Sequence, residues 1–363
     1  MKRTRQSRPR ITITDVARTA AVSPTTVSNV LNGRTEAMTP ETLLRVQSAI
    51  RQLKYRPNSA ARGLVTHRTA TIGVILAEIE TPLFLQALPF IEPIARRVGY
   101  NVLLCIARNT PDEQQALNLL LEKQVDGIIF LSTSHHLDDH HLLELKQIGL
   151  PVVLVNRACE YGEFDQINWA NAAGVEQAVD HLVRLGHRQI ALLTGPEKRR
   201  SSSERWDGYR IALERNGISY HEQYVRPGDY TASQEMWKQS MRDLLTLRPR
   251  PTAVIASDDI VAAVVMSTIQ GFGLRVPEDI AVVGFDDQPF CIFLNPSLTT
   301  IQLPIVEAGK RAAEMLLQRI SGKCTEIEHL TLPCSLVPRD STGRRTLSEP
   351  VEISSAEDTG PTS

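Results

Sequence analysis

The chain has 363 residues, room for two or three domains with sizeable cores, and a formal net charge of −1 that hides an asymmetry. Residues 1–68 hold 13 Lys and Arg against 3 Asp and Glu, and the remainder holds 27 against 38, so a basic head joins an acidic body. Every apolar run is too short to span a membrane, the basic N-terminus continues into Ile-Thr-Ile-Thr-Asp rather than an apolar signal core, and five cysteines without a Cys-x-x-Cys pair read as reduced thiols; membrane, secreted and disulfide-framework classes are disfavoured and a cytoplasmic location is expected.

Residues 1–10 form a basic arm suited to unspecific phosphate contacts. Thr12 and Asp15 have capping-box spacing, which predicts a helix over 13–20 with Ile13, Val16, Ala17 and Ala20 on one face. After a break at Ala21-Val22, Ser23 suits an N-cap and Pro24 the first helical position. The second helix, 24–31, turns Val27, Val30 and Leu31 inward and the small or polar Pro24, Thr25, Thr26, Ser28 and Asn29 outward. Two short helices joined tightly, the second presenting hydrogen-bonding side chains, make a helix-turn-helix, although other amphipathic hairpins share that pattern. A third helix, 40–54, follows Thr39-Pro40 with Leu43, Val46, Ile50 and Leu53 as its stripe, and Pro57 ends it. Residues 58–65 read as a linker or as a short helix too weak to stand alone, because it contains Gly63.

The run Asp15-Val-Ala, Val27-Ser-x-Val-Leu-Asn32 and Tyr55-x-Pro-Asn-x-x-Ala-Arg-x-Leu64 resembles the lactose-repressor family of bacterial transcription regulators. The resemblance implies a homodimer on double-stranded operator DNA, with 58–65 as a hinge helix and Leu64 wedging between central bases in the minor groove. The DNA-binding residues it implies are Thr12, Ser23, Pro24, Thr25, Thr26, Ser28, Asn29, Asn32, Tyr55, Asn58, Ala61 and Leu64. The basic head would then supply the phosphate-neutralising part of binding.

From Thr71 the pattern alternates between short β-rich runs and helices, which predicts βαβ units and parallel sheets. Strands are expected over 72–77, 102–107, 127–131, 152–155, 189–194, 253–257, 280–285 and 330–337. Helices are expected over 83–98, 112–123, 137–147, 171–185, 203–215, 233–247, 259–270 and 305–320. The fold class expected is an all-α helix-turn-helix head followed by two doubly wound α/β lobes. The family resemblance extends through His181–Ile190, Leu274–Asp287 and Pro296–Ile301, and implies a periplasmic-binding-protein-like body. It also implies three crossings between lobes, near 167–168, 295–299 and 322–325. The expected domains are therefore 1–57, a hinge over 58–70, one lobe over 71–167 with 297–322, the other over 168–296 with 323–344, and a polar, disordered tail over 345–363.

Ligands of open α/β sheets sit beyond the carboxyl ends of strands. That rule singles out Asp258 and Asp259, Asp286 and Asp287, and the Arg199, Arg200, Ser201, Arg205 group, where a carboxylate facing a guanidinium across a cleft could bind hydroxyls or a ring edge. The resemblance implies Arg205 and Asp286 as the commonest effector contacts, Arg199 and Ser201 as further ones, and Phe84 and Tyr230 as stacking aromatics. Asn156 and Asp258 complete the candidate set; Asn156 and Ala170 stand where many members carry Asp, which puts the commonest sugar contacts in doubt. Each charged residue could instead serve a salt bridge or a helix cap. A sugar or sugar derivative is the expected effector, with a purine or phosphorylated metabolite as the alternative. The run His135-His-Leu-Asp-Asp-His-His141 looks metal-like but reads better as a solvated turn, and no metal or cofactor is expected. Gly195–Ser201 lacks the glycine spacing of a P-loop, and no nucleophile–base set stands out, so an enzyme is not expected.

Overall fold

The computed structural model describes residues 11–31, 33–36, 38–55, 68–76, 83–131, 140–157, 159, 164–196, 199–228 and 233–343. The chain divides into two compact units, residues 1–71 and 72–363. In the first, α1 (Ile13–Ala20), α2 (Pro24–Leu31) and α3 (Pro40–Gln52) close on a core of Val16, Ala17, Ala20, Val27, Val46 and Ala49. The Thr12 backbone donates to Asp15 at 2.9 Å and the Asp15 N–H returns to Thr12 Oγ1 at 3.4 Å, so the capping box is complete. Ser23 Oγ accepts from the Thr26 N–H at 3.1 Å and Thr39 Oγ1 from the Thr42 N–H at 3.3 Å, which starts the other two helices. The expected third-helix stripe holds at Val46, which is buried, and at Ile50 and Leu53, which pack half-buried against the core; Leu43 is half-buried, and Ala49 is the helix's other buried residue. The arm 1–10, the 56–67 segment, the His135–Asp139 stretch and the tail beyond Gly343 lie outside the described residues.

The second unit alternates as its sequence pattern requires. In chain order its elements are β1 (Thr71–Leu76), α4 (Leu88–Arg97), β2 (Asn101–Ile106), α5 (Thr110–Glu122), β3 (Ile128–Leu131), α6 (His140–Gln147), β4 (Val152–Val155) and β5 (Asp165–Trp169). They continue with α7 (Asn171–Arg184), β6 (Ile190–Thr194), α8 (Arg200–Arg215), β7 (Val225–Pro227), α9 (Gln234–Thr246), β8 (Ala253–Ile255), α10 (Asp259–Gly271) and β9 (Ala281–Asp286). Last come β10 (Thr299–Gln302), α11 (Ile305–Ile320), β11 (His329–Leu332) and β12 (Ser335–Val337). Two six-stranded sheets result, ordered β11-β5-β4-β3-β1-β2 and β12-β10-β9-β8-β6-β7. The central pairs are parallel and in register, with Gly73 opposite Ile128 and Ile255 opposite Val283. Strands β3, β4, β6 and β8 are buried along their whole length, as expected of strands covered on both faces by helices.

Three crossings join the lobes, and two lie away from the expected places. The first follows Trp169. The second falls between Gln302 and Ile305, because residues 299–302 form β10 beside β9 in the second sheet instead of entering the first lobe. The third falls between Leu332 and Ser335: the stretch expected as one strand over 330–337 is two, β11 beside β5 and β12 antiparallel to β10. The assignment of 297–302 to the first lobe and of 323–332 to the second is therefore corrected. Helix α8 begins at Arg200 rather than 203, since Arg199 leads into it with no side-chain cap and the serines lie inside the first turn.

Candidate functional site

The head offers its sequence-marked residues on α2 and its approaches. Ser23, Pro24 and Thr25 are exposed, Thr26, Ser28 and Asn29 half-buried, and Thr12 is exposed at the start of α1. Tyr55 is half-buried, packs against the head core, and donates its N–H to Ile50 at 3.0 Å. Asn32, Asn58, Ala61 and Leu64 lie outside the described residues.

In the second unit the carboxyl ends of β8 and β9 bring the aspartates together with Arg205. Asp258 caps α10, accepting from the Val261 N–H at 2.8 Å, the alternative role its position allowed. Asp259 accepts from the Gln288 N–H at 2.7 Å and the Thr300 hydroxyl at 2.5 Å. Asp287 forms an ion pair with Arg339 at 2.5 Å. Asp286 is buried, sits at φ 112°, and has no hydrogen-bond partner among the described residues. Burial, reinforced by Asp259, pushes its carboxyl well above the usual carboxylate range against the pull of Arg205.

Arg205 lies in the second turn of α8, within the helix expected there, and shares the second lobe with Asp286. Its Nε donates to Asn171 Oδ1 at 3.1 Å, its Nη1 donates to the Ser257 carbonyl at 2.5 Å, and its guanidinium stacks 3.6 Å over the Phe285 ring. Asn171 in turn donates to Glu204 at 2.9 Å, and Glu204 pairs with Arg200 at 2.6 Å. Asn171, Glu204, Ser257 and Phe285 were not singled out from the sequence; an asparagine at a helix start and a phenylalanine in a strand carry no signal of their own. The buried Thr194 and Ser202 hydroxyls, at the end of β6 and in the first turn of α8, have no partner among the described residues. Phe84 is buried in a 3₁₀ turn of the first lobe, Asn156 is half-buried after β4 at φ 56°, and Arg199 and Ser201 are half-buried at the start of α8. Tyr230 lies outside the described residues.

This arrangement has close relatives. The chain is 35% identical over 346 residues to the HTH-type transcriptional regulator CelR of Thermobifida fusca, covering 93% of this chain and 99% of that protein. The chain belongs to the LacI family of bacterial regulatory proteins. The family's DNA-binding model matches residues 12–58, and a periplasmic binding protein-like domain model matches 179–342. Within the family it is also 33% identical to the PurR repressor of Aliivibrio salmonicida and to the ribose operon repressor of Escherichia coli K12, each over 91% of this chain and at least 98% of the relative. Two solved structures cover 92% of this LacI-family chain and all of their own: the lac repressor dimer bound to operator and the anti-inducer ONPF, at TM-score 0.81 and 30% identity, and the CelR–cellobiose complex, at 0.69 and 31%. The chain is thus a helix-turn-helix transcriptional regulator, and no helix among its described residues is long and apolar enough to cross a membrane.

Proposed function

We propose that this LacI-family regulator acts in the cytoplasm as a homodimeric repressor, not an enzyme. In this reading α2 enters the major groove, with Thr25, Thr26, Ser28 and Asn29 against base edges or phosphates, and Leu64 wedges into the central step. Operator binding is switched by a small, neutral, hydroxyl-rich effector held at Arg205 and Asp286. Asp286 carries this reading: of four aspartates at the strand ends, it alone lacks a hydrogen-bond partner among the described residues while being buried. A ligand hydroxyl donating to it would supply the partner that neighbouring groups give to the other three aspartates. A phosphorylated effector is disfavoured, because Arg200 is already paired with Glu204 and three carboxylates crowd the site.

The test is calorimetric titration of wild type and Asp286→Asn with sugars, sugar phosphates and nucleobases. A neutral hydrogen bond contributes about 0.5–1.5 kcal/mol, so the variant should lose about two- to tenfold in affinity for whatever wild type binds, with DNA binding intact. Equal affinities would remove Asp286 from the site. Asp286→Asn is preferred to Arg205→Ala, because Arg205 also holds Asn171, the Ser257 carbonyl and Phe285.

A further inference from the structure

Gln288 stands two residues beyond Asp286 and is only 2% exposed, yet its Nε2 has no hydrogen-bond partner among the described residues. Its backbone is fixed on both sides: the N–H donates to Asp259 Oδ2 at 2.7 Å, and the carbonyl accepts from the Cys291 N–H at 3.0 Å. Its side-chain Oε1 accepts from Gln86 Nε2 at 3.1 Å. Gln86 belongs to the 3₁₀ turn Phe84–Ala87 of the first lobe, whereas Gln288 follows β9 of the second. This hydrogen bond thus spans the two lobes between the turn that carries Phe84 and the strand end that carries Asp286. A buried amide with one group spent on the opposite lobe and the other unanswered is costly unless something else completes it.

We propose that Gln288 is a positioning residue that couples ligand to lobe closure: Oε1 latches the second lobe to Gln86 of the first, and Nε2 donates to an oxygen acceptor of the bound molecule. The inference rests on the reading of the Asp286 site as the effector pocket and adds a donor to its acceptor. Asp286 accepts from one ligand hydroxyl while Gln288 donates to a neighbouring oxygen, a pairing suited to a sugar's adjacent hydroxyl and ring or glycosidic oxygens. Lobe closure and ligand binding share one side chain, so filling the Nε2 position fixes the rotamer that holds Oε1 against Gln86, and the ligand favours the latched form to the extent that it binds that form better.

Two measurements on the full chain test this. Without ligand, hydrogen exchange of the Leu85–Ala87 amides should speed up at least threefold in both Gln288→Met and Gln86→Met, which keep side-chain length but break the bridge. Unchanged exchange in Gln288→Met overturns the latch, whatever the titrations give. Calorimetry with cellobiose, ribose and hypoxanthine should then show Gln288→Met losing about three- to tenfold against the probe that wild type binds, and Gln86→Met losing less, since it spares Nε2. Wild-type affinity in Gln288→Met, alongside a loss in Asp286→Asn, overturns the ligand contact while leaving the pocket reading standing. No loss in Asp286→Asn, or no response of wild type to any probe, counts against the pocket reading instead, and the exchange comparison still decides the latch.

Discussion

At the residue scale, four aspartates close together have been given different work by their neighbours. Asp258 caps a helix, Asp287 answers Arg339, Asp259 braces Gln288 and Thr300, and Asp286 is left over. Identity at these positions was legible in the sequence, but the division of labour was not, because it depends on which backbone N–H or guanidinium the fold brings near. Asp259 makes the consequence measurable. Burial pushes its carboxyl up to about 7, so between that value and the ordinary 3.8 the folded chain holds a proton the unfolded chain has released. Its stabilising contribution is complete below about pH 4 and is lost as pH rises through about 7, at up to about 1.4 kcal/mol per pH unit. The neutral Asp259→Asn keeps an acceptor for the Gln288 N–H and leaves no proton to lose. Its melting temperature should therefore fall less steeply than that of wild type from pH 4 to 7. An equal slope in both proteins would move the titration to another group; Asp286, shifted in the same direction, retains its own share.

At the element scale, helices with proline or hydroxyl caps announced themselves, and so did all-apolar buried strands. The strands that escaped have physical reasons. Strand β5 begins with buried Asp165, whose carboxylate accepts from Arg319 at 3.0 and 2.6 Å and from the Glu328 N–H at 2.9 Å, so its polar letters read as a loop. Strand β10 buries Thr299 and Thr300, their hydroxyls bonded to Arg339, Thr342 and Asp259. Strand β7 is three residues long, ends in Pro227 and lies at a sheet edge, where proline is tolerated. Helices α7 and α8 show how an element positions the site. A Cβ on Gly208 would stand 2.4 Å from the Ala172 carbonyl oxygen and 2.7 Å from its Cα, so the two backbones meet where a side chain has no room. Ala172 adjoins Asn171, which orients Arg205. Gly208→Ala should therefore cost about 1–3 kcal/mol in urea denaturation and weaken effector binding as well. A variant with wild-type midpoint and affinity would show that the helix pair yields without disturbing Arg205.

At the scale of the whole molecule, charge and fold divide at the same place. The 13 cations against 3 anions lie within residues 1–68, and the compact ligand-binding unit begins at Ile72. Among the described residues, the head has an apolar core of its own and the second unit has its own larger ones around the two sheets. Removing residues 1–70 should then leave a cooperative fold that titrates its effector with wild-type affinity and binds no DNA. The full chain should bind its operator with a logarithmic affinity that falls linearly with the logarithm of salt concentration. Each phosphate neutralised releases about 0.9 counterion, so six or more contacts across a dimer would cost roughly a thousandfold in affinity between 50 and 200 mM salt. The acidic body sharpens the comparison, since it offers DNA nothing but repulsion once the head is gone. Fluorescence anisotropy on operator and on scrambled duplex, at several salt concentrations, measures both slopes. Specific binding by the truncated chain, or a salt slope near zero for the intact one, would place the DNA contact outside the helix-turn-helix head.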